Sequence, residues 1–137
     1  MFTYGSKESW EERERKREIM QPLVSIVIPA YDISDYLFDC LKPLKSRTTY
    51  PNYEVIVVIS KGSFAENCNR GIKISNGDYI LLLNDDTLIF DPEWLTKLCD
   101  LMDSDVKIGA VSPMMIFPQN NTVQFAGMVF HPHFMGG

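Results

Sequence analysis

Asn84, Asp85 and Asp86 follow the apolar run Leu81-Leu82-Leu83 without a break. Two adjacent carboxylates at the mouth of a buried segment carry charge that needs compensation. A hard divalent cation held by oxygens would supply it and could bridge to a diphosphate. The alternative is a polar turn in which Asp85 or Asp86 only caps the next segment, and residue types alone do not separate the two. Arg70 offers a guanidinium for phosphate oxygens, or else a surface cation on an amphipathic helix. Lys61 and Gly62, ahead of a helix start, have the look of a small anion-binding turn, although the same residues suit any strand-to-helix connection. Tyr31 could stack on a base or simply pack. His131 and His133, flanking Pro132 without a third ligand nearby, read as surface residues.

The bulk composition narrows the classes. At 137 residues the chain has the length of one domain. Hydrophobic residues at 45% and charged residues at 23% are ordinary for a soluble globular protein. A net charge of -5 provides no basic face for nucleic acid, so an anionic ligand must be held locally. Cys40, Cys68 and Cys99 are odd in number and lack CxxC spacing, which argues against a disulfide framework and against zinc. They read as small core hydrophobes in a reducing setting. No apolar run reaches the length of a membrane span, and the start of the chain is charged where a signal peptide needs apolar residues. The expectation is a cytoplasmic protein, with a place at a membrane surface left open.

These residues need elements to position them. Residues 7 to 19 alternate acids and bases at helical spacing, a solvated helical extension occupying residues 1–22. From residue 23 to 137 the character is that of a folded domain. Val24–Ile28 (closed by Pro29), Val55–Ile59 and Tyr79–Leu83 are continuously apolar, which predicts strands covered on both faces. Ser34 can cap a helix to about Ser46, with Pro43 expected to kink or shorten its last turns. Ser63-Phe64-Ala65-Glu66 is a capping box, with Ala65, Cys68 and Ile72 on the inner face and Gly77 placed to close the helix. Asp91-Pro92 opens a third helix whose buried stripe is Trp94, Leu95, Leu98, Leu101 and Met102. Ile108–Phe117 and Val123–Phe130 read as further strands around a Pro118–Asn121 turn. The order implies an α/β fold with a mostly parallel, doubly wound sheet and flanking helices. Ligands in such sheets bind beyond the carboxyl ends of the strands, here Pro29–Asp32, Ser60–Ser63 and Asn84–Thr87.

The segments VSIVIPAYD, TYPNYEVIVV and FAENCNRGIKISNGDYILLLNDDT, in that order, resemble the family-2 glycosyltransferases of the GT-A fold. The tail GAVSPMMIFPQNNTVQFAGMVFHPH looks like that of rhamnosyltransferase-type members, and the resemblance covers residues 23 to 133. It implies a nucleotide-sugar-binding domain that moves a hexosyl group from a nucleotide-diphosphate sugar to a hydroxyl acceptor, with inversion. Asp86 would then ligate Mn²⁺ or Mg²⁺, and Asp85 would contact the ribose or support the metal, with Asn84 in the first place of the DxD-type motif. Pro29, Ala30, Tyr31 and Asp32 match the loop touching the nucleotide, although Asp32 stands where Asn is more usual. Asn69, Arg70 and Gly71 match the segment beside base and diphosphate. The acceptor would be a saccharide, a lipid-linked sugar or a protein.

Two departures qualify the match. The resemblance implies an acidic turn, a helix and a strand between the second strand and FAENCNRG, yet Ile59-Ser60-Lys61-Gly62-Ser63 runs almost straight into it. The nucleobase-reading aspartate is replaced by Ile59 or Ser60. The general base is expected beyond residue 137, in an acceptor half. A non-catalytic nucleotide-sugar-binding module or truncated fragment is therefore the main alternative reading. A flavodoxin-like binding domain with a structural acidic turn is a second, and the lack of a Gly-rich phosphate loop counts against it.

Overall fold

The computed structural model describes residues 21–127, and before them residues 2, 3, 9, 11, 12 and 15. Strand β1 (Phe2–Thr3) is followed by β2 (Val24–Ala30), α1 (Asp35–Arg47), β3 (Tyr53–Ile59), α2 (Phe64–Ile74), β4 (Tyr79–Leu82), α3 (Trp94–Ser104), β5 (Met115–Ile116) and β6 (Val123–Phe125). Most of the charged stretch 7–19 lies outside the described residues. Within it Glu11, Glu12 and Arg15 are helical. Ser9 and Glu12 exchange capping contacts of 3.0 and 3.3 Å.

The main sheet has the order β1-β4-β2-β3. β2 pairs in parallel with β3 and with β4, while β1 runs antiparallel to β4. This is the expected α/β architecture of a mostly parallel sheet with flanking helices. β2 is its fully buried centre. Val24, Ile26 and Ile28 point to one face and meet Leu37, Cys40 and Leu44 of α1 and Leu95, Leu98, Cys99 and Met102 of α3. Val27 points to the other face, where α2 lies so close that a Cβ on Gly71 would stand 2.3 Å from Val27 Cγ1.

Several boundaries differ from the sequence reading, each for a local reason. Pro29 does not close β2 but lies inside it, paired with Val58. It has no N–H to offer β4, and the ladder on that side stops at Leu83 N donating to Val27 O, 3.0 Å. Beyond that bond β4 and β2 part company. β3 is apolar yet only half-buried along its length, because it forms the outer edge of the sheet. Helix α1 begins at the Ser34 cap but runs past Pro43 to Arg47 without shortening. The missing proline donor strands only the carbonyl of exposed Asp39, which water can satisfy.

Helix α2 starts with the complete Ser63–Glu66 capping box. Its buried positions are Asn67, Cys68 and Gly71, not Ala65 and Ile72. It ends at Ser75, and Gly77 instead donates its N–H to Ser25 Oγ at 2.8 Å. A Cβ there would meet the Ser25 backbone N at 2.6 Å. α3 starts after, not at, Asp91-Pro92: Asp91 closes a preceding turn by accepting from Glu93 N at 2.9 Å. Leu101 is exposed. The two late segments form a separate short hairpin, far smaller than the strands expected there, and 128–130 lie outside the described residues.

Candidate functional site

β2 leads through α1 to β3 on one side, whereas β4 on the other side is reached through α2. The crevice between the carboxyl ends of β2 and β4 is thus the switch point at which open α/β sheets bind ligands. Tyr31 and Asp32 leave β2 there, both exposed. Asn84, Asp85 and Asp86 leave β4 there, with Asp85 half-buried and the other two exposed. Pro29 and Ala30 are buried within β2, so a ligand meets them through their backbone; the Ala30 carbonyl already accepts from Ser60 N at 3.1 Å.

The acidic turn is closed by its backbone, Thr87 N donating to Asn84 O at 3.2 Å. Among the described residues neither the Asp85 nor the Asp86 carboxylate has a hydrogen-bond or ion-pair partner. The capping role that sequence left open is therefore not the one they play. Beneath them Cys40 donates its thiol to Asn84 O at 3.7 Å. Burial, and then the charges of Asp85 and Asp86, push that thiol up to about 11 against the opposing effect of Thr87, so it stays neutral. α1 also fixes the rest of the loop. Arg47 Nη1 donates to Ile89 O at 3.1 Å, and Thr49 donates to Pro92 O through both its backbone N and its hydroxyl. A rigid scaffold thus presents two uncommitted carboxylates at the switch point.

Mg²⁺ and Mn²⁺ sites of nucleotide enzymes often use one or two carboxylates and complete their shell with phosphate oxygens and water. Asp85 and Asp86 fit that donor set. Among the described residues no group of three or more His, Cys, Asp or Glu side chains is placed to hold a metal unaided. A metal here would therefore be shared with its substrate.

One strand further out, the β3–α2 connection forms a second cluster. Arg70 Nη1 donates to Ser60 Oγ at 2.9 Å, and Gly62 N donates to the same oxygen at 3.2 Å. Asn67 Nδ2 donates to Ser60 O at 2.8 Å. Asn67 is 3% exposed, and its Oδ1 lacks a partner among the described residues. Arg70, in α2, is therefore tied to the loop after β3, and no bond among the described residues joins it to Asp85 or Asp86. Asn69 is exposed beside it. The Lys61-Gly62 anion turn loses support, because the Gly62 and Ser63 amides are taken by Ser60 Oγ and by Glu66 Oε2, the latter at 2.7 Å.

Sequence reasoning placed Ser60 at a ligand-facing strand end but missed Asn67 and Cys40 as builders of this region. The available signal was a polar Asn67 four residues from Gly71, on the helical face that must meet the sheet.

The profile of glycosyl transferase family 2 matches residues 60–134, more than half of the chain. The chain belongs to glycosyl transferase family 2. The family-2 chain is 29% identical to the O-antigen biosynthesis protein RfbC of Myxococcus xanthus over 134 positions, covering 79% of this chain and 10% of that protein. It is 27% identical over 136 positions to the uncharacterized protein y4gI of Sinorhizobium fredii, covering 79% and 15% respectively. It is also 27% identical over 119 positions to the glycosyltransferase GlyG of Streptococcus pneumoniae, covering 66% and 39%. The chain thus spans well under half the length of each of these relatives.

The same alignments carry a second result. The 79% of this chain aligned with RfbC is about 108 of its 137 residues, against 134 aligned positions. About 26 positions of that relative thus face no residue here, and the other two alignments behave alike. The family profile takes up at Ser60, directly after β3. Finally, no helix of the described residues is long and apolar enough to cross a membrane.

Proposed function

We propose that the chain carries the donor-binding part of a metal-dependent, inverting glycosyltransferase that moves a hexosyl group, of rhamnosyl type, from a nucleotide-diphosphate sugar to a hydroxyl acceptor. The acceptor is a saccharide, a lipid-linked sugar or a protein, and the work is done on the cytoplasmic side, at or near a membrane. Family membership and the names of RfbC and GlyG support glycosyl transfer, and the former name supports a place in polysaccharide biosynthesis. The observation that carries the site assignment is the pair of uncommitted carboxylates, Asp85 and Asp86, at the switch point.

Asp86 and Asp85 would hold Mn²⁺ or Mg²⁺, which neutralises charge growing on the leaving diphosphate. Asp85 would contact the ribose or support the metal, with Asn84 in the first place of the motif; Tyr31 and Asp32 would touch the nucleotide, and Asn69 and Arg70 would lie beside the base and diphosphate. Cys40, a neutral buried thiol, supports the acidic turn without taking part. Calorimetric titration with UDP-, GDP- and dTDP-sugars, each with and without Mn²⁺, tests this reading. One donor should bind in a Mn²⁺-dependent way, and Asp86→Ala should abolish the metal-dependent part. Binding that is indifferent to that substitution overturns the metal assignment.

A second reading is favoured by the roughly 26 positions the chain lacks relative to RfbC. A non-catalytic nucleotide-sugar-binding module would bind donor with the same metal dependence yet release no nucleoside diphosphate when acceptor is supplied.

A further inference from the structure

β3 is the outer strand of the sheet, and its peptide groups can be sorted by direction. Asn52 O accepts from Val24 N, and Ser60 N donates to Ala30 O, both at 3.1 Å. In a parallel pair alternate residues turn both their N–H and C=O to the same neighbour. Even-numbered residues of β3 therefore face β2, while Tyr53, Val55, Val57 and Ile59 offer their peptide groups to the open side. Among the described residues no strand takes them up. Natural edges are blunted by charged side chains, lysine above all, by proline, by a bulge or by a very short strand. β3 has no lysine, proline or bulge and is seven residues long; its one charge, Glu54, lies on a residue whose peptide groups face β2.

We infer that this edge is an interface between two copies of the chain, β3 against β3, antiparallel about a two-fold axis at Ile56. That register sets Val55 against Val57 and Tyr53 against Ile59 of the second copy, all with outward peptide groups, as an antiparallel ladder requires. Glu54 falls opposite Val58, so no like charges meet. Its carboxylate is moreover already engaged by Ser25 Oγ at 2.6 Å and Asn76 N at 2.8 Å.

The helices agree with the same geometry. α2 lies over β2 and β3. With strands about 4.8 Å apart, the two α2 copies would stand roughly 10 Å apart on one face, the spacing at which helices pack. Exposed Phe64 and Ile74 sit at the two ends of that helix. Here, where the chain passes from β3 to α2 in four residues, a second copy is the self-complementary occupant.

Sedimentation equilibrium of the intact chain, from micromolar to hundred-micromolar concentration, should reveal a species of twice the 15.7 kDa chain mass. Amide exchange should slow at Val55, Val57 and Ile59 as the concentration rises. Ile59→Pro removes an outward donor only. It should weaken self-association by roughly tenfold or more through the two symmetry-related bonds it deletes, while the far-ultraviolet circular dichroism is unchanged. Ile59→Lys, which keeps the amide but adds a charge to the edge, should act in the same direction. A chain that stays monomeric throughout overturns the inference. So does a dimer that both variants leave intact, or one whose concentration-dependent protection lies elsewhere.

Discussion

At the scale of single residues, what matters is which polar groups are already spent. Asp85 and Asp86 are not, whereas Glu66 is occupied by the Ser63 amide; exposed Arg70 gives one of its five N–H groups to the Ser60 hydroxyl. Asn67 is half spent: its amide nitrogen clamps Ser60 O, and its oxygen is buried without a partner among the described residues. Replacing it separates these contributions. Asn67→Ala removes one hydrogen bond to a loop carbonyl and should cost about 1 kcal/mol. Asn67→Asp instead turns an acceptor toward Ser60 O and adds negative charge beside Glu66, so it should cost more, roughly 2–3 kcal/mol. Urea denaturation of both variants checks the order. Equal effects would show that the added acceptor and charge cost nothing beyond the lost amide donor.

At the scale of elements, close approach between helix and sheet decides which residues are tolerated. Gly71 lets α2 settle on β2, and a methyl group there would meet Val27 Cγ1 at 2.3 Å. Alanine favours a helix over glycine by up to about 1 kcal/mol. Forcing a methyl into a packed contact costs about 1–3 kcal/mol. The contact should prevail, and Gly71→Ala should lower the urea midpoint at unchanged slope. A stabilised variant would mean that α2 can lift away from the sheet freely. Pro29 works at the same scale: by ending the ladder between β2 and β4 it frees the strand ends to diverge where the acidic turn emerges.

At the scale of the whole molecule, acid should loosen contacts at both ends of the sheet. Glu54 joins β3 to Ser25 of β2 and to Asn76 before β4. The Ser25 hydroxyl, more than the Asn76 amide, holds its carboxyl below the ordinary value. Glu66 is lowered by the Ser63 cap, and Asp91 by its hydrogen bond from Lys97. In each case the folded form binds fewer protons than the unfolded one. The stabilisation is therefore complete above the ordinary carboxylate range, about pH 4, and disappears as pH falls through the lowered folded values. The melting temperature should drop on acidification across that window. Glu54→Gln, being uncharged, should start lower and lose less. A variant with the wild-type pH profile would remove Glu54 from the account.

Sequence alone determined the element types, because apolar runs, the Ser34 cap and the Ser63–Glu66 box are local features that act through their own neighbours. It also picked out the acidic turn and the strand ends around it, since topology sends ligands to those ends whatever the side chains. It misjudged Ala65 against Asn67, the ends set at Pro29 and Gly77, and the covering of β3. Three of these depend on partners distant in the chain: β4 for Pro29, Ser25 for Gly77, and the strand order for β3; Asn67 is held by Ser60, seven residues away across the loop that the fold bends back onto α2. Whether Asp85 and Asp86 cap a segment or stand free was likewise decided only in three dimensions. A carboxylate's commitment depends on which donors the fold brings within hydrogen-bonding reach, and spacing along the chain carries no record of that.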